Sequence, residues 1–85
     1  MERLTKKNND GKYYIDEADI TEITQRLAAF ENAYEDLLSS MMELPAKLEK
    51  LRAEGKEKTV TYREMVTQKL INNNIIMFFE RNGIK

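Results

Sequence analysis

The side chains able to do chemistry are few. No His and no Cys occur among the 85 residues, which removes the imidazole base, the thiolate nucleophile, disulfides and most zinc sites. Carboxylates remain. Asp16, Glu17, Asp19 and Glu22 cluster in one short segment, and Glu35-Asp36 form an adjacent pair. A carboxylate cluster can hold a divalent cation, but a calcium loop needs ligands at alternating positions around an obligatory turn glycine, and this segment has neither. The same residues suit the start of a helix. Asp19 can accept from the first free N–H groups, Glu22 three residues on completes a capping box, and the negative charge complements the helix dipole. The sequence also lacks a Gly-rich phosphate loop and a serine in a nucleophile-elbow context. The chain is therefore expected to be no enzyme, with no catalytic residue, metal or other cofactor.

The basic residues pose a second question. Lys and Arg number 14 against 15 Asp and Glu, so no net field draws the chain to nucleic acid or an anionic membrane. A local site is still conceivable: Thr61 to Arg81 can be outlined as helix, Asn-rich turn and helix, with Lys56, Lys58, Arg63 and Lys69 as phosphate contacts. The detail argues against it. The second helix would open with Ile75-Ile76-Met77-Phe78-Phe79, whereas base reading needs Arg, Lys, Asn or Gln there, and Glu49, Glu54, Glu57 and Glu64 dilute the basic stretch. A helix-turn-helix-like nucleic-acid binder is thus the alternative reading.

The element that must position everything else runs from Ile20 to Leu51. Ile20, Ile23, Leu27, Phe30, Tyr34, Leu37, Met41, Leu44, Leu48 and Leu51 alternate three- and four-residue steps, the seam of an amphipathic helix. Ala28, Ala29, Ala33, Leu38 and Met42 widen its apolar face, which favours a compact bundle over a two-stranded coiled coil. Pro45 interrupts this segment while leaving its phase intact, so either one helix continues with a kink or a second starts there. Gly55 reads as the terminating cap.

The flanks are shorter. Asp10-Gly11 suits a tight turn and Tyr13-Tyr14-Ile15 has high strand propensity, so Arg3 to Lys6 is read as pairing with Lys12 to Ile15, with Leu4, Tyr13 and Ile15 laid on the helix; a flexible arm is the other reading. Beyond the connector at Lys56 to Val60, Thr61-x-x-Glu64 is a capping box, placing a helix start at Tyr62 and turning Tyr62, Met65, Val66 and Leu70 inward. Asn72-Asn73-Asn74 reads as an interruption or a polar patch. Asn82-Gly83-Ile84 then reads as a Schellman stop to a final helix from about Asn74 to Arg81, with Phe78 and Phe79 read as core plugs ahead of a partner hot spot.

The Met-Glu-Arg-Leu-Thr start, the Asp10-Gly11-Lys12 turn and Arg26-Leu27-Ala28-Ala29-Phe30-Glu31 resemble small accessory proteins encoded in prophages of Gram-positive bacteria, many of which pair an M-E-R-L-T start with an R-L-A-A-Y-E segment. Phe30 stands here for the usual Tyr, and Asn32-Ala33-Tyr34 replaces the Asp-Thr-Gly that often follows. The resemblance covers roughly the first third of the chain. It implies a mobile-element origin and a bacterial cytoplasm, and it supplies no catalytic residue. Small proteins of such loci include inhibitors of CRISPR nucleases and of other host defences.

The resulting expectation is a mainly α fold: a small helical bundle on one long kinked or broken helix, with a short N-terminal β-hairpin. It forms a single domain over 1–85, with a hairpin or arm at 1–16, the long helix at 19–54 and C-terminal helices at 61–82. Five methionines add surfaces that pack adaptably. The expected function is non-catalytic binding of a protein partner, most specifically an anti-CRISPR-like inhibition of a defence nuclease, with a homo-oligomeric module as a further alternative. Leu27, Phe30, Tyr34, Leu37, Met41, Leu44, Phe78 and Phe79 are the expected binding or oligomer seam. No membrane span is expected, and the bacterial cytoplasm is the expected location.

Overall fold

A computed structural model describes residues 1–85. The order of elements is β1 (Thr5–Lys7), β2 (Tyr13–Ile15), a 3-10 turn at Glu17–Asp19, α1 (Ile20–Ala53) and α2 (Val60–Arg81). The protein is mainly α, as expected. Packing divides it into two compact units, Met1–Ala33 and Tyr34–Lys85, and α1 contributes its first turns to one and its remainder to the other.

In the first unit the hairpin is formed. β1 and β2 pair antiparallel, with Thr5 opposite Ile15, Lys6 opposite Tyr14 and Lys7 opposite Tyr13. Gly11 takes the left-handed φ of +78° expected of the Asp-Gly turn, and Asn8 adds to the closure: its side-chain oxygen accepts from the Asp10 and Lys12 amides at 3.0 and 2.9 Å, an Asx-type arrangement. The register corrects one expectation. Side chains alternate across a strand, so the Thr5, Lys7, Tyr13 and Ile15 positions share one side and Leu4 falls on the other. Leu4 alone is half-buried, while Tyr13 and Ile15 remain exposed. Tyr13 is flanked instead by cations, the Arg3 guanidinium at 5.4 Å and the Lys7 ammonium at 5.7 Å from its ring centre.

α1 begins at Ile20, directly after the expected cap Asp19, but the 3-10 turn at Glu17–Asp19 leads into it. Asp16, in extended conformation, accepts from the Ala18 amide at 3.0 Å, so the chain is already turning at Asp19, which is not the capping residue. α1 then runs unbroken through Pro45, which decides the sequence ambiguity in favour of one continuous helix.

The second unit is an antiparallel helical hairpin. Its cross-contacts run in reverse order: the Tyr34 and Phe79 ring centres lie 5.8 Å apart, Asn72 meets Ser40 at 2.8 Å, and Arg52 meets Tyr62 at 2.7 Å. Leu37, Leu44 and Leu48 are its buried apolar residues, each worth roughly 1.5–3 kcal/mol when fully withdrawn from water. Both helices stop by the same device. Lys56 N–H reaches back to the Leu51 carbonyl at 2.8 Å and Ile84 N–H to Phe79 at 2.9 Å, around Gly55 and Gly83 at φ of +72° and +83°. These are Schellman closures, with glycine in the left-handed position other residues enter at a cost.

Two expectations about α2 are overturned. Its cap is Thr59 and not Thr61: the Thr59 hydroxyl accepts from Tyr62 N–H at 3.2 Å, which places Thr61 inside the helix. There is also no interruption at Asn72 to Asn74 and no separate final helix, since α2 is continuous from Val60 to Arg81. The physical reason is tertiary. Asn72 is buried at 3% exposure, donates to Ser40 Oγ at 2.8 Å and accepts from Gln68 Nε2 at 2.8 Å, so its side chain has partners and does not compete with the helix backbone.

Candidate partner-binding surface

The site is built from two segments of the first unit, Met1 to Thr5 and Arg26 to Glu31. Arg26, on the second turn of α1, donates from Nη1 to the backbone carbonyl of Glu2 at 2.9 Å. Its Nη2 meets Glu22 at 3.1 Å, one turn back on the same helix. The guanidinium fork thereby clasps the N-terminal segment to α1, using the fixed geometry that distinguishes Arg from Lys. Beneath the clasp, Leu4 and Ile23 are half-buried, while Leu27 is 55% and Ile20 52% exposed. Met1, Arg3, Leu4, Thr5, Ile23, Arg26 and Leu27 line an open depression whose floor is mainly apolar. The segments Met1 to Thr5 and Arg26 to Glu31, separate in the sequence, meet in this first unit.

The expected seam residues divide sharply. Leu37 and Leu44 are buried in the helical hairpin, and Tyr34, Met41 and Phe79 are half-buried there. These five belong to the protein's own core. Leu27 and Phe30 are exposed and remain candidates for contact with another molecule. Phe78, expected as a core plug, is 54% exposed with the Arg81 guanidinium 5.3 Å from its ring centre; the two neighbouring phenylalanines point to different sides because adjacent helix positions are about 100° apart. Leu70, expected inward, is exposed as well. Asn72 was missed as a packing residue. Its helical spacing from Met65, Ile76 and Phe79 was the available signal.

The residues proposed for nucleic acid are not brought into one strip. Lys56, Lys58, Arg63 and Lys69 are all exposed, but Lys56 is paired with Glu54 at 2.9 Å, and Arg63 and Lys69 sit about 120° apart around α2. With no turn at Asn72 to Asn74, the two short helices of a helix-turn-helix are not formed. The hydrogen bond from Lys56, reinforced by its charge, also holds the Glu54 carboxyl below the usual carboxylate range. Tyr62 accepts from Arg52 Nε at 2.7 Å, and this bond raises the Arg52 pKa further, keeping the guanidinium charged. Both pairs lie at the surface, with Tyr62 half-buried, and brace the end of the hairpin.

The carboxylates near α1 do not assemble a metal site: no group of three or more acidic side chains converges anywhere in the chain. No helix is long and apolar enough to cross a membrane. Comparison with protein-family models, with curated proteins and with solved structures finds no match.

Proposed function

We propose that this chain is a non-catalytic binding module of prophage origin, acting in the bacterial cytoplasm, and that it docks on a larger protein through the surface of Leu4, Ile20, Ile23 and Leu27. The observation that carries the reading is the uneven cover of one apolar stripe. From Leu37 to Leu48 the stripe of α1 is closed by α2, whereas Ile20 and Leu27 of the same stripe stay more than half exposed. Exposed leucine and isoleucine on an ordered helix, beside a clasped N-terminal segment, form the kind of preorganised apolar surface that gains affinity when a partner covers it. Action follows by occlusion and requires no reacting group.

The target class is a host defence nuclease, foremost a CRISPR effector. Support for this comes from the prophage-like Met1 to Thr5 and Arg26 to Glu31 segments, which together build the surface. The test titrates the purified chain into cleavage reactions of a panel of bacterial defence nucleases. At least one is expected to lose activity. Leu27→Asp, on an exposed position that leaves the helical hairpin intact by circular dichroism, is expected to restore cleavage. Undiminished cleavage throughout the panel would remove the inhibitor reading, and inhibition that survives Leu27→Asp would remove this surface.

A further inference from the structure

The helix α2 carries a second apolar face. Its inner side presents Tyr62, Met65, Val66, Asn72, Ile76 and Phe79, all buried or half-buried. Around the helix from these, Leu70, Ile71, Ile75, Met77 and Phe78 remain exposed, Leu70 at 60% and Met77 at 64%. From Leu70 to Phe79 no residue is charged, in a chain where 34% of residues are. Such local depletion of charge marks the centre of protein interfaces more reliably than apolar character alone. A solvated helix face would be expected to carry Lys and Glu.

We propose that this outer face of α2 is covered by a second copy of the same chain. The small core is the first argument. Only three apolar side chains are buried within the chain, and small folds with so little core are commonly completed by self-association.

The second argument is Asn74. It is exposed and sits amid the apolar face, with Leu70, Ile71, Met77 and Phe78 three or four residues away and therefore its neighbours on the helix surface. An amide both donates and accepts, so across a two-fold axis it is complementary to its own copy, and a lone Asn in an apolar helix interface is a known device for fixing a pairing. A foreign partner would need a matching polar group at that one point. A second copy brings it necessarily.

This surface belongs to α2 and does not depend on the Leu27 surface proposed above. Light scattering on the full chain at micromolar concentration is expected to give twice the 10.0 kDa chain mass. Ile71→Glu with Phe78→Glu is expected to halve that mass. A monomeric wild type, or a double variant that stays dimeric, would overturn the proposal. Should the double variant unfold, cross-linking decides: the chain has no cysteine, so Asn74→Cys is expected to form a disulfide-linked dimer on mild oxidation while Glu35→Cys does not. Absence of the Asn74→Cys dimer, or equal cross-linking at both positions, would equally overturn it.

Discussion

The two halves of α1 carry the same kind of sequence and meet different fates. Ile20, Ile23 and Leu27 continue into Leu37, Leu44 and Leu48 with one uninterrupted spacing, yet Leu48 is 2% exposed and Leu27 55%. The difference lies outside α1. α2 returns antiparallel over the later turns, and the short hairpin with its clasped N-terminal segment shields only Leu4 and Ile23 in the earlier ones. An apolar stripe therefore specifies that something should cover it, without specifying whether the chain itself supplies the cover.

The sharpest test of this contrast is a matched pair of truncations. Leu48→Ala should cost about 2–5 kcal/mol in a urea melt, because it empties a closed site, whereas Leu27→Ala should cost under about 0.5 kcal/mol, as exposed substitutions generally do. Equal losses would mean that the two halves are equally covered in solution. Next in size is Asn72→Ala, expected to cost about 1–3 kcal/mol by leaving the Ser40 hydroxyl without its partner. Replacing both groups together, Asn72→Leu with Ser40→Ala, should recover most of that loss in the same assay, since no buried donor or acceptor is then stranded.

The connector between the helices should respond more weakly. Gly55→Ala forces a side chain into a left-handed position and should cost about 1–2 kcal/mol, and Thr59→Ala should cost about 1 kcal/mol by removing the α2 cap. Both are measurable as shifts of the denaturation midpoint at constant slope. The smallest effect is electrostatic. Lys56 lowers the Glu54 pKa below its ordinary 4.5, so the pair stabilises the folded state above that pH and loses its contribution as the pH falls through the lowered value. Glu54→Gln should remove this acid-side component, seen as a slightly shallower decline of stability on acidification. An identical pH profile would show that the exposed pair contributes nothing.

Local chemistry was legible in the sequence wherever the partner of a residue lay a few positions away. The stops at Gly55 and Gly83 were readable for that reason, and so were the hairpin and the continuity of the heptad phase across Pro45. Cap positions were misplaced by two or three residues, because Thr59 and Thr61, or Asp16 and Asp19, offer equivalent hydroxyls and carboxylates and only the backbone angle chooses between them. Asn72 was the larger miss. Read locally, three asparagines end a helix; the hydrogen bond to Ser40 that overrides this preference joins residues far apart in the chain. The candidate surface was half legible: periodicity named Leu27 among the seam residues, but nothing in the spacing separates it from Leu44, and the clasp of Arg26 on the Glu2 carbonyl involves a backbone atom that no side-chain pattern reveals.

The Asn72–Ser40 contact also limits how the helical hairpin can move. Sliding α2 along α1 by one turn, about 5.4 Å, would strand both polar groups against apolar neighbours and disengage Tyr34 from Phe79 at once. Small displacements along the helix axis are thus opposed at two separated points. Shear of α2 along α1 is therefore resisted by a hydrogen bond and an aromatic contact together.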